Sequence, residues 1–365
     1  MGRAGVAAGV FLGDADAHTL HFSGLGKGPR PPAIRQSQPQ ERHILLPLQI
    51  IAAQNIHRGL HITVVGLAHL RDRKAEQAVP PIGTMVQVEG LNVHAHIAGA
   101  GPDLVLIHGS SGNLRDFTMG LVQVLQDRYR VISLDRPGLG WSDPLPEGQD
   151  GIHDQARILQ AAASALGAQR PIVLGQSYGA AVALAWAMDL PETLAAVVSV
   201  SGPSHPWDTP LETYYKITSH PVWSIFAIPL IAAIYTQRQV DQALREVFAP
   251  QPPPERYATR FGLALTMTQR RIRANARQRK VLKSEFIALS QRYSTLQVPI
   301  EIVHGDMDTL VYVKIHGERM IQDTDKARLT LLPGIGHMPH HSAPKSVADA
   351  VDRSWARRAG QKPSV

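Results

Sequence analysis

The stretch Val173-Leu174-Gly175-Gln176-Ser177-Tyr178-Gly179-Ala180-Ala181 decides how this chain is read. Residues 171–174 form a short apolar run of the kind found in buried strands, and residues 180–188 read as a helix. Between them stands Gly-x-Ser-x-Gly, which in a strand–turn–helix setting is a nucleophile elbow. So tight a turn forces the serine into a strained backbone conformation. Gly175 and Gly179 carry no side chain, so strand and helix can pass close to each other. The turn lifts the Ser177 hydroxyl above the sheet and leaves the Tyr178 N–H free at the helix start, where the dipole favours an anion. Ala181, Ala183, Ala185 and Ala187 keep the helix slim enough to pack on a sheet.

Outward from the elbow, strands and helices alternate. Residues 84–88 and 93–97 read as a hairpin around Glu89-Gly90-Leu91-Asn92. Residues 104–107 form a strand ending in His108-Gly109-Ser110-Ser111-Gly112, and residues 131–134 one ending in Asp135-Arg136-Pro137-Gly138. Ile152, Ala156, Leu159, Ala163 and Leu166 line one helix face. Residues 195–200, 300–303 and 328–332 read as further strands, the last two followed by Asp306 and Asp308 and by His337. Such alternation predicts an α/β fold with a mostly parallel sheet covered by helices on both faces. Residues 203–296 carry helical segments and prolines but no convincing strand, which predicts a helical cap inserted above the carboxyl edge of the sheet. The division is therefore a core of 81–202 and 297–358, a cap of 203–296 and a tail of 359–365.

Residues 1–80 have a different texture. The first forty are rich in Gly, Ala, Pro and Arg; residues 44–70 are more apolar but interrupted by Gln, Asn, His and Arg. No uninterrupted run is long enough to span a bilayer. The expectation is a flexible extension or a degraded anchor, bounded by Val79-Pro80-Pro81, and membrane association, where it occurs, would run through it. The localisation expected is cytoplasmic, with a membrane-associated alternative. With no cysteine, disulfides and thiolate chemistry are excluded. The charge of +7 invites an anionic partner, yet no nucleic-acid motif accompanies it.

The motifs at His108, Asp135, Gly175 and the late pair around Asp308 and His337, in that order and at strand ends, resemble the α/β-hydrolase superfamily in its cap-bearing, serine-nucleophile branch over residues 82–355. A serine hydroxyl needs a base. His337, in a Gly-x-Gly-His-x-Pro loop after the last strand, is the candidate among 17 histidines. The base needs an orienting carboxylate, and Asp306 and Asp308 both follow the right strand. The resemblance favours Asp308 and leaves Asp306 as a turn residue. It also implies an oxyanion hole from the N–H groups of Tyr178 and Ser110. Gln176 stands where many relatives carry His, at the variable position of the elbow. A serine hydrolase acting on a carboxylic ester or related acyl compound, without cofactor or metal, is the expectation. A carbon–carbon bond hydrolase, an acyltransferase, a perhydrolase or a silent binding protein could use the same scaffold. Epoxide hydrolases and haloalkane dehalogenases of this fold use an aspartate where Ser177 stands.

Three expectations concern the remaining features. His340 and His341 read as non-catalytic, with no metal, because no carboxylate accompanies them in sequence. The basic run from Arg270 to Lys283 reads as a solvated helix face. Residues 221–235, apolar on every face, either form the cap's own small core or place Trp223 and Phe226 in the wall of an apolar acyl or alcohol pocket.

Overall fold

The computed structural model describes residues 42–358, with side chains continuous from His61. Eight strands form one sheet: β1 (Thr84–Val88), β2 (Leu91–Ala98), β3 (Asp103–Ile107), β4 (Arg130–Leu134), β5 (Ile172–Gln176), β6 (Ala196–Val200), β7 (Ile300–Gly305) and β8 (Ala327–Leu332). Their order is β1-β2-β4-β3-β5-β6-β7-β8. The first two strands run antiparallel to their neighbours, and from β4 to β8 every pairing is parallel.

The central strands are mostly apolar because both faces are covered. In β3, Val105 and Ile107 join a core with Ile158, Leu159 and Trp186 from the helices Ile152–Ala165 and Tyr178–Asp189. Leu104 and Leu106 face the other way, onto Phe117, Leu121, Val347 and Val351. Chain order and alternation along each strand thus generate two cores, one per face.

Between β6 and β7 the chain carries helices and no strand, with Thr213–Thr218, Trp223–Ile234, Gln237–Phe248 and Gln269–Leu289 as the main elements. The helix Trp223–Ile234 buries Ile228 and Ala232 in a small separate core with Ile272. The fourth face of that core is supplied by Ala68 and Val64. These belong to a 37-residue helix, Arg42–Ala78. This corrects the expectation that residues up to 80 form a flexible extension: over residues 42–78 they are helical and their last turns pack on the cap. The expectation for residues 1–41 and for the tail 359–365 falls largely outside the described residues.

The basic run is corrected in part. Arg273 and Lys280 are exposed, but Arg271 is buried and reaches Glu76 at 2.7 Å. Arg277 bonds Asp150, and Arg279 bonds Glu212. The helix Gln269–Leu289 therefore uses its cations to tie itself to the core at Asp150, to the rest of the cap at Glu212 and to the helix Arg42–Ala78 at Glu76.

Candidate active site

Ser177 closes β5 and precedes the helix Tyr178–Asp189, at φ 50° and ψ −119°. A side-chain-bearing residue in that region is strained. The neighbouring glycines explain how the strain is accommodated: a Cβ on Gly175 would lie 2.2 Å from the Gly179 carbonyl oxygen, and one on Gly179 2.0 Å from that of Ile107. Only hydrogen fits at either place, so strand, turn and helix close around a fixed Ser177.

The sequence candidates converge here. His337 Nε2 lies 3.0 Å from Ser177 Oγ, and His337 Nδ1 lies 2.8 Å from Asp308 Oδ2. Asp308 Oδ1 accepts the N–H groups of Leu310 and Val311, each at 2.9 Å, which orients the carboxylate. Burial alone would raise the Asp308 pKa, but the facing His337 and the hydrogen bonds from His304 and His337 hold it well below the usual carboxylate range. Asp306 is placed elsewhere: it is exposed and accepts the Gly334 N–H at 2.7 Å.

Tyr178 opens its helix, so its N–H has no intrahelical acceptor. Ser110 lines the same cavity as Ser177 and Tyr178. Its neighbour Ser111 is tied to the cap: the Ser111 N–H donates to Asn275 Oδ1, and Asn275 Nδ2 donates to Ser111 Oγ, both at 2.9 Å. His108, under the loop, accepts the Arg136 N–H at Nε2 and holds the Gly109 carbonyl at Nδ1. Burial and the adjacent Arg136 push its pKa down to about 4, so it is a neutral strut.

The turn after β4 braces this loop. Asp135 accepts the N–H groups of Leu114 and Trp141 and contacts His94 Nδ1 at 2.6 Å. The fully buried Arg136 donates to the carbonyl oxygens of His108 and Gly109, and to Gln155 and Gln278. Its guanidinium carbon lies 4.1 Å from the centre of the Tyr178 ring, and burial pulls its pKa down to about 10. From sequence this segment reads only as a rigid turn; a charged residue beside Pro and Gly in an otherwise apolar strand end was the signal available.

A cavity of about 430 Å³ lies between this site and the cap. Tyr214, Tyr215, Leu244, Val247, Phe248 and Ile272 are among the residues lining it, with Ser177 and His337 at its floor. Trp223 and Phe226 do not line it. They are 61% and 53% exposed on the outward side of their helix. The correction has a simple cause: Ile228 and Ala232 face the small core shared with Ala68 and Ile272, which turns the bulkiest side chains away. The pocket wall comes instead from the helices on either side.

His340 and His341 do meet a carboxylate, supplied by Asp116 from the short helical turn that follows β3. Their Nε2 atoms lie 3.0 and 2.7 Å from its two oxygens, and the Tyr257 hydroxyl donates to Asp116 at 2.7 Å. Asp116, His340 and His341 could hold a metal ion; in the geometry present they form a hydrogen-bonded cluster in the core, which Tyr257 ties to the cap.

Residues 102–344 match the family model described as the alpha/beta hydrolase fold, so the chain belongs to the α/β-hydrolase fold family. Among curated relatives is a pimeloyl-[acyl-carrier protein] methyl ester esterase of Nitrosomonas europaea, 25% identical over 72% of this chain and 98% of the relative. A 2-hydroxymuconate semialdehyde hydrolase of Pseudomonas putida is 30% identical over 50% of this chain and 70% of its own length. The crystal structure of a membrane phospholipase A superposes with a TM-score of 0.62, covering 88% of this chain and all of that one, at 20% identity. The last is a likeness of fold.

Proposed function

We propose that this chain is a serine hydrolase that cleaves carboxylic esters through an acyl-enzyme. The observation that carries this reading is the hydrogen-bonded line Asp308–His337–Ser177 opening into a largely apolar cavity. Ser177 Oγ attacks the ester carbonyl while His337 Nε2 takes its proton, and the ionised Asp308 stabilises the resulting imidazolium. The N–H groups of Ser110 and Tyr178 receive the oxyanion. His337 then protonates the departing alkoxide, leaving an acyl group on Ser177. A water deprotonated by His337 attacks that acyl group and releases the acid, restoring the serine. No cofactor takes part in this scheme.

The esterase among the relatives supports an ester substrate. The lining by Leu244, Val247, Phe248 and Ile272 favours medium-chain or aromatic acyl groups over acetate. Labelling with a fluorophosphonate, followed by a panel of esters of rising chain length, tests the proposal. The expected result is labelling of the native chain, none in Ser177→Ala, and a rate that climbs with chain length to an optimum. An unlabelled native chain would refute it. Labelling with turnover only of carbon–carbon ring-fission products would move the reaction to the class of the 2-hydroxymuconate semialdehyde hydrolase.

A further inference from the structure

We propose that the outward face of the helix Trp223–Ile234, with the adjoining face of residues 61–78 of the helix Arg42–Ala78, is a docking surface for an anionic lipid bilayer. Among the described residues seventeen large apolar side chains are exposed, and nine of them lie on these two helices or at Val222, which leads into the second. Trp223, Phe226, Leu230 and Ile234 recur at helical spacing and are 45–61% exposed, and no charged residue interrupts residues 221–235. Ile62 and Leu70 extend the face on the neighbouring helix. The two helices run side by side in the same direction: the His61 ring lies 5.2 Å from that of Phe226, and Arg71 donates to the carbonyl oxygens of Ala233 and Tyr235. The exposed residues therefore form one patch. Concentration on this scale marks an interaction surface.

The charges around the patch select its occupant. From residue 213 to 240 there is no acidic side chain, while Lys216 and Arg238 are exposed. On the first helix Arg73 and Lys74 are exposed at the same end as Arg238. The acids beside them are engaged, Asp72 by Gln269 and Glu76 by the buried Arg271. A second copy of the chain meeting this face about a two-fold axis would bring cationic rims together. Anionic headgroups complement them, and a tryptophan among aliphatic residues suits the bilayer interface. No described helix is long and apolar enough to cross a membrane, so the contact lies in the membrane plane. The helix Trp223–Ile234 packs beside Thr213–Thr218, whose Tyr214 and Tyr215 line the cavity, so docking sets the cavity roof at the lipid surface. The surface stands independently of the reaction proposed above.

Flotation of the full chain with phosphatidylcholine vesicles, with and without phosphatidylglycerol, tests this. The native protein is expected to float with the anionic vesicles and to be released by salt. Trp223→Ser with Phe226→Ser should reduce the bound fraction roughly tenfold on anionic vesicles while hydrolysis of a soluble short-chain ester is unchanged. Lys216→Glu with Arg238→Glu should weaken binding to anionic vesicles. A native protein that stays with the pellet overturns the proposal. So does a double serine variant that floats as well as the native chain. A native dimer that the serine substitutions split, without any vesicle binding, would assign the face to a second copy instead.

Discussion

The guanidinium of Arg136 donates to the carbonyl oxygen of Gly109 at 3.0 Å. In a trans peptide the N–H points opposite to the C=O, so this bond aims the Ser110 N–H away from Arg136. The same side chain holds the His108 carbonyl and stacks on the Tyr178 ring, next to the second proposed oxyanion donor. Its acceptors are neutral oxygens, from His108, Gly109, Gln155 and Gln278. An ammonium has three donors and no planar fork, and cannot span the four. Arg136→Lys is therefore expected to lower kcat about 10- to 100-fold with little change in KM. Affinity for a boronic acid that mimics the tetrahedral state should fall in parallel. Equal losses of kcat and of thermal stability in an otherwise unchanged pH profile would reduce Arg136 to a structural role.

Ser177→Ala and His337→Ala should each remove hydrolysis almost completely, because members of such a relay act as a unit. The two aspartates separate more sharply. Asp308→Asn loses the anion that faces His337 and should cost about 10³- to 10⁴-fold in kcat. Asp306→Asn keeps an oxygen for the Gly334 N–H and should stay within about threefold of native. Steady-state rates on one ester decide it, and the reverse order would overturn the assignment of the acid.

How far the sequence reaches is clear from particular residues. The meeting of Ser177, His337 and Asp308 is legible because strained turns and strand-end loops need fixed residue types at fixed spacing. Trp223 and Phe226 were misplaced for the opposite reason: a helix apolar on every face carries no period to say which side is buried. That was decided by Ala68 and Ile272, far away in the chain. Asp116 could not be paired with His340 from sequence, since 224 positions separate them. The helix Arg42–Ala78 shows no amphipathic period in sequence, and the partners that hold it, the small core around Ile228 and Ile272 and the polar contacts of Arg71, Asp72 and Glu76, lie far away in the chain.

Glu285 gives a stability prediction. It reaches from the cap helix to the N–H of Ile152, with oxygens at 3.0 and 3.1 Å. Burial raises its pKa from 4.5 to about 7. An acid whose folded pKa is raised keeps its proton longer in the folded state, so stability falls as pH rises from about 4.5 to about 7. At about 1.4 kcal/mol per unit, the loss is at most ~3.5 kcal/mol. Glu285→Gln removes the titration while retaining an acceptor for Ile152. Its melting temperature should exceed that of the native protein at pH 8 and approach it at pH 5. Parallel melting curves across that range would show that Glu285 does not titrate there.

The last prediction concerns Arg71 and Asp72, adjacent residues that serve opposite ends of two cap helices. Arg71 Nη1 donates to the Ala233 carbonyl at 2.6 Å and Nη2 to that of Tyr235 at 3.2 Å, where the helix Trp223–Ile234 ends with unpaired carbonyls. Asp72 accepts the backbone N–H of Gln269 at 3.3 Å and its side-chain amide at 2.9 Å, where the helix Gln269–Leu289 begins. A cation at one carboxyl end and a carboxylate at one amino end each complement a helix dipole. A few residues on, Glu76 supplies the anion for the buried Arg271. Arg71→Ala and Asp72→Ala are each expected to cost about 1 kcal/mol. Removing residues 1–78 loses all three contacts and exposes the small core around Ile228 and Ile272. The truncated chain should melt several degrees lower, with its cap cut earlier in limited proteolysis and a raised KM. Ser177 should still react with a fluorophosphonate, because the elbow and both main cores lie outside the lost segment. A truncated chain with native melting temperature and KM would show that the helix rests on the cap without supporting it.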